Sequence, residues 1–365
     1  MRKILQVVPF IDDHEGQIAQ ESIDSKWLTE GPKCQDFLRH ITEFTGAKFA
    51  VLAPNGTLAL HLALLALELP PQSEVLLPSF TFFGSASAIV FAGLVPSFVD
   101  VDIHSFNVDS EKLEAAITPN TTAIMPVHCY GHSANMDAVM DIAKRHGLKV
   151  IEDAAQGYGV FYGRKHTGTI GDIGTISFFA DKTITMGEGG VVLTNDEATY
   201  LRLRLLRNQG RQNSGTFIHE ALGMNYRITD IQAGIGLAQV AKFDAISAHK
   251  TRVHALYVEA FSGIGDLDFI EVEKQSTFVP FRFALRTKQK DALIEHLEAA
   301  GIQSRSFFYP MHLQPPLRRY SINGPHPSVS ERLYSEGILL PIHMNITDED
   351  VAYMADTVRS FFEKT

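Results

Sequence analysis

Cysteine is nearly absent from this sequence: 365 residues hold two, Cys34 and Cys129. Two thiols build neither a disulfide framework nor a four-cysteine zinc site, so both are expected as reduced thiols and no metal is expected. A long apolar run is missing as well. The opening MRKILQVVPFIDDHEG is cut by Pro9 and turns acidic at Asp12, too short for a signal segment and without the small residues of a cleavage site. The most apolar later stretch, 86–99, is interrupted by Ser87, Gly93, Pro96 and Ser97 and falls short of the ~20 residues of a membrane span. Positive charge is in deficit: 32 Lys and Arg against 42 Asp and Glu leave −10. An acidic surface argues against nucleic acid as a partner, though it leaves room for a local phosphate pocket. With 45% hydrophobic and 20% charged residues the chain reads as folded rather than disordered. The expectation is a soluble, cytoplasmic protein with neither a nucleic-acid nor a membrane partner.

What is present is alternation. Apolar runs at 48–52, 74–77, 96–101, 123–127 and 149–151 read as strands, and 57–68, 81–92 and 136–146 between them read as helices. Continuous apolar strands separated by helices indicate a parallel sheet covered on both faces, with ligands outside the strands' carboxyl ends. From 175 to 194 short β segments are broken by Gly187, Gly189 and Gly190, and a long helix is expected over 229–261. The remainder reads as a smaller α/β unit, with FVPFRFAL extended and helices over 289–300 and 348–362. Two domains are expected, a large one over 1–250 and a small one over 251–365.

Three features at predicted strand ends carry chemistry. Asn55-Gly56-Thr57 opens a helix, where free backbone N–H groups and the helix dipole suit a phosphate, although the same residues serve as an ordinary N-cap. Glu152-Asp153 ends a buried strand, where a carboxylate is costly unless it meets a cation; a structural ion pair would also account for it. Lys182 follows the aromatic SFFAD and precedes GEGG; it is either a solvated turn lysine or an amine nucleophile in low dielectric. Together a phosphate cradle, a buried acid and a lysine are what pyridoxal 5'-phosphate requires.

At these residues the sequence resembles the PLP-dependent sugar aminotransferases of the DegT/DnrJ/EryC1/StrS family. The likeness runs from SKWLTEGP through NGTLALHLAL, PSFTFF, IMPVHCYGH, VIEDAAQGYG, SFFADKTITMGEGG and GMNYRITDIQAGIGLAQ to FFYPMHLQPP. It implies an aspartate-aminotransferase-like α/β fold (PLP fold type I), a large domain with a mostly parallel sheet and a smaller C-terminal α/β domain. It further implies that Lys182 holds the Schiff base and shuttles the proton, and that Asp153 pairs with the ring nitrogen. Gln156 would reach the phenolic oxygen, Phe82 would stack on the ring, and Gly56, Thr57 and Ser177 would bind the phosphate. Asn225 would reach the cofactor of a second subunit, which makes the expected unit a homodimer with a composite site. Glu188, Arg227, Arg305 and His312 are candidates for the substrate side.

The implied activity is transfer of an amino group from L-glutamate to a nucleotide-diphosphate-linked 4-keto-6-deoxyhexose. The product would be perosamine-like, for an O-antigen or a natural-product glycan. A cyclitol (inosose-type) aminotransferase would carry the same motifs. The dehydratase branch replaces the lysine by histidine and is disfavoured by Lys182, and a non-catalytic PLP-fold binding protein would be expected to lose the lysine or the acid. Two positions depart from the family pattern: Gly157-Tyr158, where a small residue and histidine often follow the Gln, and Pro280 with Arg282, where relatives carry Tyr or His. Both are expected to bear on the sugar.

Overall fold

The computed structural model describes residues 2–213, 215, 217–320 and 322–363. In chain order the strands are β1 (Phe49–Ala53), β2 (Glu74–Pro78), β3 (Val95–Val99), β4 (Thr121–Ile124), β5 (Lys149–Asp153), β6 (Phe161–Tyr162), β7 (Lys165–His166), β8 (Ile173–Ser177), β9 (Gly190–Thr194), β10 (Asp268–Phe269), β11 (Phe283–Arg286), β12 (Arg305–Ser306) and β13 (Gly337–Leu340). Seven of them form one sheet in the order β1-β9-β8-β5-β4-β2-β3. The pairs from β3 across to β8 are parallel, and β9 runs antiparallel to both of its neighbours. Their apolar runs are buried over most of their length because helices cover both faces.

The helix Gly56–Ala66 shows why the first covering layer forms. Asn55 caps it, its Oδ1 accepting the Leu58 N–H at 2.9 Å, and its Ala- and Leu-rich sequence has high helix propensity. It is apolar all round and accordingly buried between the sheet and the helices Phe83–Phe91 and Glu197–Arg207. Each fully buried leucine, such as Leu62, contributes about 1.5–3 kcal/mol.

The expected single helix over 229–261 is two, Asp230–Ala241 and Phe243–Phe261, meeting at Lys242 (φ −102°, ψ 0°). The break turns Phe243 into the aromatic cluster of the large sheet, edge-on to Tyr158 with ring centroids 4.9 Å apart. Lys242 itself is held by Asp12 and Glu15 of the N-terminal helix.

A second sheet, β10-β11-β13-β12, is antiparallel throughout and is packed by Phe243–Phe261, Lys290–Ala299 and Asp348–Phe362. Ile4 joins this unit, bridging to Ile302 and burying its side chain in the same core. Of FVPFRFAL only its last three residues are strand, the start of Phe283–Arg286. Pro280 has no N–H to give a ladder, and the flanking N–H groups of Val279 and Phe281 donate instead to Gly131 and Tyr130 at 2.9 and 3.1 Å. Phe80, Phe106, Tyr130, Phe281, Phe307 and Leu339 form one apolar cluster that joins the two sheets. No helix among the described residues is long and apolar enough to cross a membrane.

Candidate active site

The carboxyl ends of β1, β2, β5 and β8 open on one edge of the large sheet, and a cavity of about 620 Å³ lies there, closed on its far side by Phe281, Arg282, Arg305, Ser306 and Phe308. Gly56, Thr57, Phe82, Asp153, Gln156, Ser177, Lys182, Glu188 and Arg305 all line it. Residues spread over 250 positions of sequence therefore meet in one place.

At the end of β1 the first intrahelical bond is Ala59 N–H to Asn55 C=O, 2.9 Å, so the N–H groups of Gly56 and Thr57 lie ahead of the helical ladder. Two glycines let this turn close on the sheet. A Cβ on Gly56 would stand 2.8 Å from the Ser177 Cβ, and one on Gly190 would stand 2.6 Å from the Asn55 carbonyl oxygen. The result brings the helix N-terminus against the Ser177 side chain, a place suited to an anion.

Asp153 is the last residue of β5. Its Oδ2 accepts from Ser85 Oγ at 2.6 Å and its Oδ1 from the Ala155 N–H at 3.1 Å, so the carboxylate is fixed while still facing the cavity. Glu152, one residue earlier, points to the opposite side as strand alternation requires. It is wholly buried and accepts from His128 Nε2 (3.0 Å) and from the N–H groups of Gly168, Ile170 and Gly171 (2.8, 2.6 and 2.7 Å). Burial alone would raise its pKa, but the bond and charge of His128 and the Gly171 and Gly168 N–H groups outweigh that and hold it below the usual range.

The half-buried Lys182 follows β8. Its ammonium makes no hydrogen bond or ion pair among the described residues and lies 4.7 Å from the centre of the Phe281 ring. The neighbouring Asp181 is taken by Arg282, Oδ2 to Nη2 2.7 Å. Burial pushes the Lys182 pKa down against the pull of Asp181 and Asp153, and Arg282 adds to the depression. Gln156 is anchored by its Oε1, which accepts the Tyr130 N–H at 2.7 Å. Phe82 is 63% exposed, which excludes a core role for that ring.

Three expected residues do not line the cavity. His312 is a correction: it is buried beneath the site, its Nδ1 2.6 Å from Ser79 Oγ and its Nε2 3.0 Å from Glu331 Oε1. Its ring serves a packed network at the end of β2. Arg227 is half-buried and donates to Asn208 Oδ1 at 2.9 Å, away from the cavity of its own chain. Asn225 is exposed in the segment that bridges to Asn208. Sequence reasoning missed Ser85, Tyr130, Phe281 and Phe308 as wall residues. The one sequence signal was Pro280, which takes the chain out of the sheet and toward Tyr130.

Residues 9–359 match the DegT/DnrJ/EryC1/StrS aminotransferase family. The chain belongs to that family. It is 38% identical over 356 residues to a GDP-perosamine synthase of Caulobacter vibrioides, covering 96% of this chain and 95% of that one. It is 36% identical to a GDP-perosamine synthase of Escherichia coli O157:H7, covering 99% of both. Among solved structures, DesV of S. venezuelae, described in complex with a ketimine intermediate, superposes with a TM-score of 0.92 at 30% identity, covering 99% of this chain and 100% of that one. The fold is the aspartate-aminotransferase-like α/β fold, and the protein is a PLP-dependent transaminase acting in sugar amination. The cavity fits pyridoxal 5'-phosphate: a helix N-terminus that a Cβ on Gly56 or Gly190 would disturb, an aromatic wall, a fixed carboxylate and an amine without a partner share one space.

Proposed function

We propose that this protein transfers an amino group from L-glutamate to C4 of a nucleotide-linked 4-keto-6-deoxyhexose, giving a perosamine-like amino sugar for an O-antigen or a related glycan. The observation that carries this reading is that Lys182, whose amine has no hydrogen bond or ion pair among the described residues, lines the same cavity as the fixed carboxylate of Asp153. Full-length likeness to two GDP-perosamine synthases supports the choice of sugar.

Pyridoxal 5'-phosphate, when bound, supplies an electron sink for the charge that develops at the carbon bearing nitrogen. The protein's own groups do the rest. The Gly56 and Thr57 N–H groups and the Ser177 hydroxyl would bind the phosphate. Asp153, held by Ser85, would pair with the ring nitrogen, and Phe82 and Gln156 would hold the ring. Lys182 Nζ would be the amine that holds the cofactor, and it is placed to accept and return a proton at Nζ. Glu188 and Arg305 face the sugar side of the cavity, and Arg305 makes no ion pair among the described residues. Asn225 and Arg227, outside their own cavity, serve the cavity of a second copy in a homodimer. Phe217, Ile218, Leu222 and Met224, exposed just before them, form the apolar surface on which that copy docks.

Amination assays with L-glutamate and, in turn, a GDP-linked and a dTDP-linked 4-keto-6-deoxyhexose and an inosose test the reading. Product is read by mass and the position of nitrogen by NMR. A nucleotide-linked 4-amino product is expected, and preferential turnover of the inosose would overturn it.

A further inference from the structure

Away from the cavity, three side chains with metal-ligating atoms converge: His312, His326 and Glu331. None of them lines the cavity. His312 Nε2 lies 3.0 Å and His326 Nε2 2.7 Å from the same Glu331 oxygen, Oε1. The two imidazoles stand edge to face with ring centroids 5.3 Å apart, and the three ligand atoms all lie within 4.8 Å of one another. Neither Lys nor Arg pairs with Glu331 among the described residues, so this carboxylate meets imidazoles and no permanent cation.

Each of the three is held in place by the fold. His312 sits in the single turn Met311–Leu313 with its side chain 3% exposed, and its Nδ1 is 2.6 Å from Ser79 Oγ. Glu331 stands in the first turn of the helix Ser328–Glu336. The N–H groups of Val329 and Ser330 at that helix start donate to the buried Asp100 at 3.0 and 2.8 Å. His326 lies between Pro325 and Pro327, whose rings restrict the backbone on both sides of it. Asn323 Nδ2 ties the same loop to Ser97 Oγ of β3 at 3.0 Å. An exposed histidine on such a loop has less freedom to lose on binding.

We propose that His312 Nε2, His326 Nε2 and a Glu331 carboxylate oxygen form a Zn²⁺ site that clips the segment 326–331 to the end of β2. Two imidazoles and one carboxylate are a zinc ligand set, whereas Mg²⁺ and Ca²⁺ take oxygen. A tetrahedral Zn²⁺ with bonds of about 2.0–2.1 Å keeps its ligands roughly 3.3–3.4 Å apart, so opening the two contacts to Glu331 by roughly half an ångström makes room for it. Binding moves each imidazole proton from Nε2, where it faces Glu331, to Nδ1. For His312 that proton then has Ser79 Oγ as its acceptor, the outer partner that orients a ligating histidine. The side chains of Glu331 and His326 are 39% and 61% exposed, so water fills the fourth position from the solvent side.

The test titrates tag-free holoenzyme with Co²⁺ and then with Zn²⁺, following visible absorbance against the same holoenzyme without metal. One Co²⁺ per chain is expected, with the bands of a four-coordinate ion, and Zn²⁺ is expected to displace it while Mg²⁺ does not. His326→Ala and Glu331→Gln each remove a ligand and are expected to weaken Zn²⁺ binding by more than the roughly 10–100-fold that loss of an outer partner costs. Ser79→Ala, which removes only the Nδ1 partner, is expected to fall within that range. The cofactor band of each variant reports that it has folded, and His326→Ala, at an exposed ring, carries the test where Glu331→Gln does not fold. Absence of saturable Co²⁺ uptake by the unsubstituted holoenzyme, or unchanged Zn²⁺ affinity in folded His326→Ala, overturns the site.

Discussion

Glu152 and Asp153 are adjacent acids with opposite fates, and the difference is one step of strand alternation. Asp153 meets the cavity; Glu152 meets His128 and three backbone N–H groups. Asp153→Asn is expected to retain cofactor, since an amide still fills the place, while kcat falls on the order of 10²–10⁴-fold because it cannot hold the ring proton. Visible absorbance and turnover on one sample check both halves. Glu152→Gln is expected to do the reverse. Its amide NH₂ must face N–H donors, which costs about 1–3 kcal/mol of stability, read as a lower Tm with cofactor chemistry intact. The sign with pH follows from the depressed native pKa of Glu152. Its contribution is complete above the unfolded carboxylate value of about 4.3 and fades as pH falls through the lower native value. The Tm gap between the two proteins is therefore expected to hold from neutrality to about pH 5 and to close below that. The motif placed both acids at a strand end in the sequence, but the partners that separate them come from other loops and left no local mark.

Elements were legible where pattern and cap agreed, and less so where a tertiary contact decided. The helix Met136–His146 and the helix Asp348–Phe362 lie where their periodicity puts them, the former capped by Asn135 and the latter by Thr347. The break at Lys242 has neither Gly nor Pro to announce it; the burial of Phe243 causes it. Ser328–Glu336 and β13 went unread because the helix is short and the strand gains its meaning only from pairing with β11 and β12. The cap at Asn55 joins element to function. Asn55→Ala is expected to cost about 1 kcal/mol, as is Asp196→Ala at the helix Glu197–Arg207, where Asp196 accepts the Thr199 N–H at 2.7 Å. Only the former helix ends in the cavity. Gly56→Ala, which crowds Ser177, is expected to weaken cofactor binding roughly tenfold or more, while Asp196→Ala leaves it unchanged. Fluorescence titration of cofactor-free protein measures both.

At the scale of the whole molecule, the cavity is a meeting of two sheets, and the sequence could name its large-domain half because those residues sit in short motifs at strand ends. Of the other half the sequence pointed to Arg282 and Arg305, while Phe281 arrives through pairing between the Tyr130 turn and the residues around Pro280, a contact across 150 positions of chain. The proposed homodimer extends the same logic one step further. Leu222 is 97% exposed and Phe217 89%, and large apolar side chains exposed within one short stretch of chain support the proposal of a covered surface. Asn225 follows that surface directly, and its own cavity does not include it. In the proposed two-fold dimer the same patch would serve both chains, and each Asn225 would reach the partner's phosphate site. Asn225→Asp, which sets a carboxylate against a phosphate, is expected to lose cofactor retention and activity as a homodimer. Lys182→Ala is expected to be inactive for lack of an attaching amine. Mixed under conditions that exchange subunits, the two inactive proteins form a hybrid in which one site has both an intact lysine and an intact asparagine, so up to half the specific activity of the unsubstituted dimer returns in that species. Leu222→Glu in both parents is expected to abolish the recovery by preventing association, with light scattering reporting a monomer. An active monomer, or verified exchange between fully inactive parents without recovery, would falsify the shared site.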